Sequence, residues 1–178
     1  MNAETLAHRD WSPFVLAEAG KHADAPRSIN TPEGIADRLR AAAFAEVQAR
    51  DAFNWAADRF EDAPEDLRRA WRTLAHAEER HLQWLLTRMQ ELGVEIGARK
   101  VSDFLWQSLI QCKTARDFAI YIASAEERGR KAGVRFHEAM AKSDPVSSAI
   151  FGKIAEEEVS HIELALRFYP DGAVKIGT

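Results

Sequence analysis

Stepping by four and then three residues along this sequence picks out four separate apolar stripes, each long enough for roughly seven helical turns. The first, over residues 31–60, reads Ile35, Leu39, Ala42, Glu46, Ala49, Phe53, Ala56, Phe60. The second, over 64–92, reads Leu67, Trp71, Leu74, Glu78, His81, Leu85, Met89, Leu92. The third, over 114–142, reads Ala115, Ala119, Ile122, Glu126, Gly129, Gly133, Phe136, Met140. The fourth, over 144–169, reads Ser147, Phe151, Ile154, Glu158, His161, Ala165, Phe168. No stretch alternates with period two, so the expected class is all-α. Side chains at this spacing share one helix face, and the pattern predicts four amphipathic helices around a common core, a four-helix bundle.

Local signals set the boundaries. Thr31-Pro32 and Asp144-Pro145 each put a capping side chain before a proline at the first helical position, and Thr114 caps the third helix. Gly93 follows the second, where a left-handed residue commonly ends a helix. Short links join the first helix to the second and the third to the fourth, which predicts two antiparallel pairs. The link from Gly93 to Lys113 runs to about twenty residues, long for a compact bundle. Phe104, Leu105, Trp106, Leu109 and Ile110 predict a short helix inside it, hence an ordered crossover between helices 2 and 3. Residues 1–30 carry Pro13, Gly20 and Pro26 with no sustained period, and predict an irregular N-terminal arm packed through Trp11, Phe14 and Leu16. The bundle is expected over 31–169, with 170–178 as a C-terminal tail.

Composition narrows the function classes. There are 24 Lys and Arg against 28 Asp and Glu, a formal charge of −4, whereas a general nucleic-acid clamp is basic. No apolar run approaches the length of a membrane span. The opening MNAETLAHRDW has no basic-then-apolar signal pattern, so a cytoplasmic location without membrane partners is expected. Cys112 is the one cysteine, which excludes an internal disulfide and a thiolate metal cluster.

The chemistry lies where the stripes are interrupted. Each carries a Glu at mid-helix: Glu46, Glu78, Glu126 and Glu158. In two helices a His follows one turn on, as Glu78-Glu79-Arg80-His81 and Glu158-Val159-Ser160-His161. Residues i and i+3 share a helix face, so each Glu/His pair addresses one target. With 17 Glu in 178 residues, a single Glu-x-x-His arises by chance for roughly one His in ten. Two of them at matching depth, with a Glu on each remaining stripe, is a far more specific pattern. Burying four carboxylates costs several kcal/mol per ion without a counter-charge, and no Lys or Arg shares those seam turns. A metal supplies that charge. Carboxylate and imidazole without thiolate suits iron or manganese, and admits zinc. Without metal, the four carboxylates are expected to rise in pKa together, and the two histidines with them.

One Glu from each of two helices, with Glu-x-x-His from each of two others, resembles the ligand set of the ferritin-like di-iron carboxylate superfamily. The order Glu, Glu-x-x-His, long crossover, Glu, Glu-x-x-His is also similar, over about residues 31–169. The stretches Thr31-Pro32-Glu33-Gly34, Glu46-Val47-Gln48-Ala49 and Glu126-Glu127-Arg128-Gly129 resemble a bacterial branch of unknown function, and more distantly the bacterial tRNA hydroxylases. The resemblance implies two iron ions. Glu46 with His81 would end one iron's ligand set, Glu126 with His161 the other's, and Glu78 with Glu158 would bridge. It further implies an oxidase or oxygenase working on O2 or peroxide with a small or tethered substrate. An external electron donor is needed, since the chain lacks the Cys-rich module of rubrerythrin-type peroxidases. Non-enzymatic iron binding or storage is the alternative, and a homodimer is compatible with either.

The remaining candidates have plainer readings. Glu127 shares a face with Arg116, Arg130 and His137, a solvated face, which favours Glu126 as the ligand. His8, His22, His76 and His137 read as ordinary surface or core-edge histidines, and Asp51, Asn54 and Tyr121 as peripheral. Arg68-Arg69 and Glu156-Glu157 read as solvated charge runs, and Trp55, Trp84 and Trp106 as core or interface aromatics. Gly129 and Gly133 interrupt a stripe at a cost of up to about 1 kcal/mol each. They either open a pocket beside the cluster or let two helices approach closely.

Overall fold

The computed structural model describes residues 9–18, 21 and 23–177; His8 and His22 lie outside them. Four long helices carry the chain: α1 (Pro32–Arg59), α2 (Glu65–Glu91), α4 (Ala115–Met140) and α5 (Pro145–Phe168). A short α3 (Phe104–Leu109) sits in the crossover, and α6 (Ala173–Ile176) ends the described chain. Among the described residues the only β-pairing is one isolated bridge, Leu16 to Val101. The architecture is an all-α helical bundle. None of its helices is long and apolar enough to cross a membrane.

The caps form where the sequence places them. The side chains of Thr31, Thr114 and Asp144 accept from the backbone N–H of Gly34, Asp117 and Ser147. At the end of α2, Gly93 adopts φ 64°, and Val94 N–H reaches back to Met89 O at 2.8 Å. That left-handed residue closes the helix and turns the chain into the crossover.

Polar pairs between helices give the direction of each. Arg50 with Glu79 and Arg72 with Asp58 run oppositely along α1 and α2. His81 with Glu157 and Arg88 with Ser147 do the same for α2 and α5. Since α5 returns antiparallel to α4 across a short turn, α4 runs parallel to α2, as the long crossover allows.

The apolar core has two layers with a polar turn between them. One layer is aromatic: Phe53 of α1 and Trp71 of α2 meet Phe118 of α4 edge to face, Phe60 just past α1 meets Trp71, and Trp106 of α3 joins through Trp55, with ring centres 5.2–6.3 Å apart. The other is built from Leu39, Leu85, Met89, Met140 and Phe151, all buried. Each such side chain stabilises by about 1.5–3 kcal/mol when removed from water. Every long helix passes its seam Glu at the level between the layers.

The arm is anchored as its apolar residues suggest. Trp11 and Phe14 are buried against Phe44, and the Leu16 bridge ties the arm to the crossover. Beneath it, Asp37 accepts from Arg27 and pairs with Arg40 and Arg99, and Arg40 donates to the carbonyls of Ile96 and Glu95. Arg27 foremost, against opposing burial, holds the Asp37 carboxyl down at about 2. Past α5, residues 170–177 fold back, burying Ile176 and bringing Gly172 against Ile120.

Two glycines test this packing. A Cβ on Gly34 would lie 1.7 Å from the Ser28 carbonyl oxygen, so Gly34→Ala should force the arm off α1. A Cβ on Gly129 would meet nothing within 4 Å. In thermal unfolding we expect Gly34→Ala to destabilise by about 1–3 kcal/mol and Gly129→Ala to stabilise by about 0.5–1 kcal/mol. A Gly34→Ala variant as stable as the parent would mean that Arg27 and Ser28 do not pack on the start of α1.

Candidate metal centre

All six residues singled out on the seams converge between the core layers. Their ligand atoms form two overlapping groups, Glu46 with Glu78, His81 and Glu158, and Glu78 with Glu126, Glu158 and His161. Within each group the atoms lie within 4.8 Å of one another. Glu78 and Glu158 belong to both.

Each shared carboxylate divides its oxygens between the two histidines. Glu78 sets Oε2 3.4 Å from His81 Nδ1 and Oε1 2.8 Å from His161 Nδ1. Glu158 sets Oε1 3.4 Å from His81 Nδ1 and Oε2 3.3 Å from His161 Nδ1. Glu46 Oε2 lies 3.8 Å from His81 Nδ1. The imidazoles stack with centroids 5.7 Å apart and 19° between planes. Despite these approaches, both Nδ1 atoms, both Glu78 oxygens and Glu158 Oε2 are buried without a hydrogen-bond partner. Buried polar atoms without a partner are rare because each costs about 1–3 kcal/mol. Five of them facing one another mark a place where a cation could sit.

Two residues outside the predicted set shape the centre. Glu157 Oε2 lies 3.0 Å from His81 Nε2 and also accepts from Arg80. A carboxylate on the far ring nitrogen takes the Nε2–H and leaves the Nδ1 lone pair facing the cluster. The expectation that Glu157 belongs to a solvated run is therefore wrong for this residue, which is drawn under His81 by contact between α2 and α5. Trp84 covers the same ring at 5.4 Å, with Lys153 4.0 Å from its own face. Its place one turn after His81 was the available signal.

The other candidates sit apart. Glu127 is nearly covered, clasped by Arg130 and Lys131 rather than free in solvent, and Arg130 foremost holds its carboxyl at about 2. Asp51 pairs with Arg9 and Arg50 and touches neither cluster histidine, while Asn54, His76 and Tyr121 are exposed. His137 bonds Ser148.

Both readings of the glycine pair hold, one for each residue. Gly129 borders a partly open cavity of about 280 Å³ between α1 and α4, which reaches Glu46, Glu126 and Glu158. Gly133 borders it too, but a Cβ there would press Ala155 and the Phe151 carbonyl at 3.3 Å, a close approach of α4 and α5.

A family described as "Protein of unknown function (DUF455)" matches residues 7–173, and the chain belongs to it. No curated protein and no solved structure matches it.

Electrostatics split the four carboxylates instead of raising them together. Burial lifts Glu46 and Glu126 well above the ordinary range, with repulsion from Glu78 and Glu158 adding to it. The same burial acts on Glu78 and Glu158, but proton-bearing neighbours outweigh it and hold both below 4.5: His161, His81 and Glu46 for Glu78, and Glu126 foremost, then His161 and His81, for Glu158. Burial also disfavours charged imidazole, yet the surrounding carboxylates push His81 up to about 12 and His161 up to about 10. The metal-free centre thus holds protons on Glu46, Glu126 and both rings, and is neutral. A raised group keeps in the folded chain a proton that the unfolded chain has lost, so stability falls as pH rises through that window. For the histidines the window opens at the ordinary 6.5 and closes near 10 and 12. Glu78 and Glu158 act in the opposite sense, but only below 4.5. We expect the Tm of metal-free protein to fall between pH 6.5 and 10, with a markedly shallower fall in a Glu78→Gln, Glu158→Gln double variant. Equal slopes in the two proteins would contradict an ion-paired centre.

Proposed function

We propose that this chain is a ferritin-like, non-haem di-iron carboxylate protein that activates O2 or peroxide, acting as an oxidase or oxygenase. The observation that carries the reading is the pair of overlapping ligand groups that share Glu78 and Glu158. Glu46 and His81 would complete one iron's ligands, Glu126 and His161 the other's. The charges agree: four carboxylates with neutral histidines carry the charge that two divalent ions balance, and the four protons of the metal-free centre leave in exchange. The donor set suits iron or manganese and admits zinc.

Iron bound here would supply one-electron redox steps and open coordination positions toward O2 or peroxide. The chain's own residues do the rest. Glu157 fixes the His81 tautomer, and Trp84 closes the histidine side against water. Glu46 and Glu126, whose carboxyls burial raises in the metal-free centre, stand on the cavity side, where protons released on metal uptake can leave. With a single cysteine, the chain relies on a separate electron donor. We take 31–169 as the functional unit in the cytoplasm, 1–30 as its arm and 170–178 as its tail. A homodimer is compatible with this arrangement.

The test is metal stoichiometry followed by O2 consumption. Anaerobic loading with ferrous iron should stop at two per chain. Glu78→Ala or Glu158→Ala should lower both occupancies, since each carboxylate serves both positions. Admitting air should consume O2 in proportion to bound iron. Retention of two irons by both variants would sink the ligand assignment. Aerobic uptake continuing far beyond two per chain would favour storage instead.

A further inference from the structure

The cavity between α1 and α4 has a chemical polarity of its own. Its walls are small: Ala42, Ala45 and Ala49 of α1 against Gly129 and Ala132 of α4, with Ile154 of α5 beneath. One end reaches Glu46, Glu126 and Glu158 of the cluster, and the other reaches Arg38, Pro26 and Phe136. At 1.5 Å rise per residue, the Arg38 and Glu46 levels of α1 are about 12 Å apart. At roughly 30 Å³ per water-sized group, 280 Å³ accommodates about nine such groups in line.

Arg38 is the polar feature of the far end. Its Nη1 donates to the carbonyls of Arg27 and Gly34, and its guanidinium lies 5.8 Å from the centre of the Phe136 ring. Its Nε is buried with no acceptor, and no carboxylate pairs with it among the described residues. A guanidinium on the cavity wall with no carboxylate partner favours a ligand that brings an anionic acceptor. Asp37, also on this wall, is already taken by Arg27, Arg40 and Arg99 and so offers little repulsion. The metal-free cluster end is neutral and presents protonated Glu46 and Glu126, so Arg38 is the end that attracts an anionic head.

We infer that the cavity binds a linear medium-chain carboxylate, with its head at Arg38 and its aliphatic tail along the alanine and glycine trough toward Glu46 and Glu126. Calling this ligand the substrate rests on the di-iron reading, whereas its binding does not. The head contact selects for charge, and the alanine and glycine lining suits an aliphatic tail. Gly129 lines the trough with open space where a side chain would begin, so a larger residue there has room to occupy part of it.

The test is calorimetric titration of the full chain, metal-free and iron-loaded, with octanoate and 1-octanol. Octanoate should bind once per chain in both forms, at least tenfold more tightly than 1-octanol. Arg38→Gln should erase that preference while leaving 1-octanol within about twofold. Gly129→Leu should weaken both ligands at least tenfold while still taking up two irons, which shows that the variant is folded. Absence of saturable octanoate binding, equal affinity for octanoate and 1-octanol in the parent, or undiminished binding in Gly129→Leu would each overturn the inference. The two readings fail separately. Octanoate binding to a chain that takes no iron sinks the di-iron reading alone, and two irons without octanoate binding sinks the cavity inference alone.

Discussion

Four carboxylates cannot share a dry interior without positive charge among them, and the rest of the bundle is arranged around that constraint. Each long helix delivers one Glu to the same level, and the residues above and below are large and apolar. Low polarity strengthens attraction and repulsion alike, so charge at this level must balance closely. The metal-free chain achieves balance with protons on Glu46, Glu126, His81 and His161. A cation held by the same residues would achieve it by displacing them. Two packed layers that make the fold stable also make the centre sensitive to what occupies it.

Much of this was legible in the sequence because helical periodicity carries it directly. The four stripes, their caps and the ordered crossover follow from spacing and local turn chemistry, and the bounds of α1, α2, α4 and α5 differ from expectation by only a residue or two. The six cluster residues were visible because an acid in an apolar stripe needs a reason. Glu126 was separable from Glu127 because adjacent residues lie about 100° apart around a helix. The ion pairs of Glu127 with Arg130 and Lys131, at i+3 and i+4, are the same rule applied to the neighbouring face.

What escaped depends on contacts between helices, for which no period exists. Glu157 looks like part of an acidic run until α2 is laid against α5, when it falls beneath His81. Gly129 and Gly133, four residues apart on one stripe, look equivalent. Only the neighbours distinguish them, open space for Gly129 and Ala155 for Gly133. The split in proton affinity is likewise collective. Burial acts on all four acids, and the proton-bearing Glu126 or Glu46 together with the two imidazoles reverse its sign for Glu158 and Glu78.

The same contacts give the centre two unlike faces. Toward α2 and the acidic run, His81 is covered by Trp84 and held by Glu157. Toward the gap between α1 and α4, small side chains leave Glu46, Glu126 and Glu158 bordering the cavity, while Glu78 stays wholly enclosed. That cavity offers protons, ions or ligands a route, past the two carboxylates that burial raises. The Asp37 network stands at the far mouth of that route. It joins the arm, α1 and the crossover through Arg27, Arg40 and Arg99. Buried ion pairs of this kind contribute little net stability, and here what the network secures is position: Pro26 and Arg38 are held on the cavity wall by the arm that it anchors.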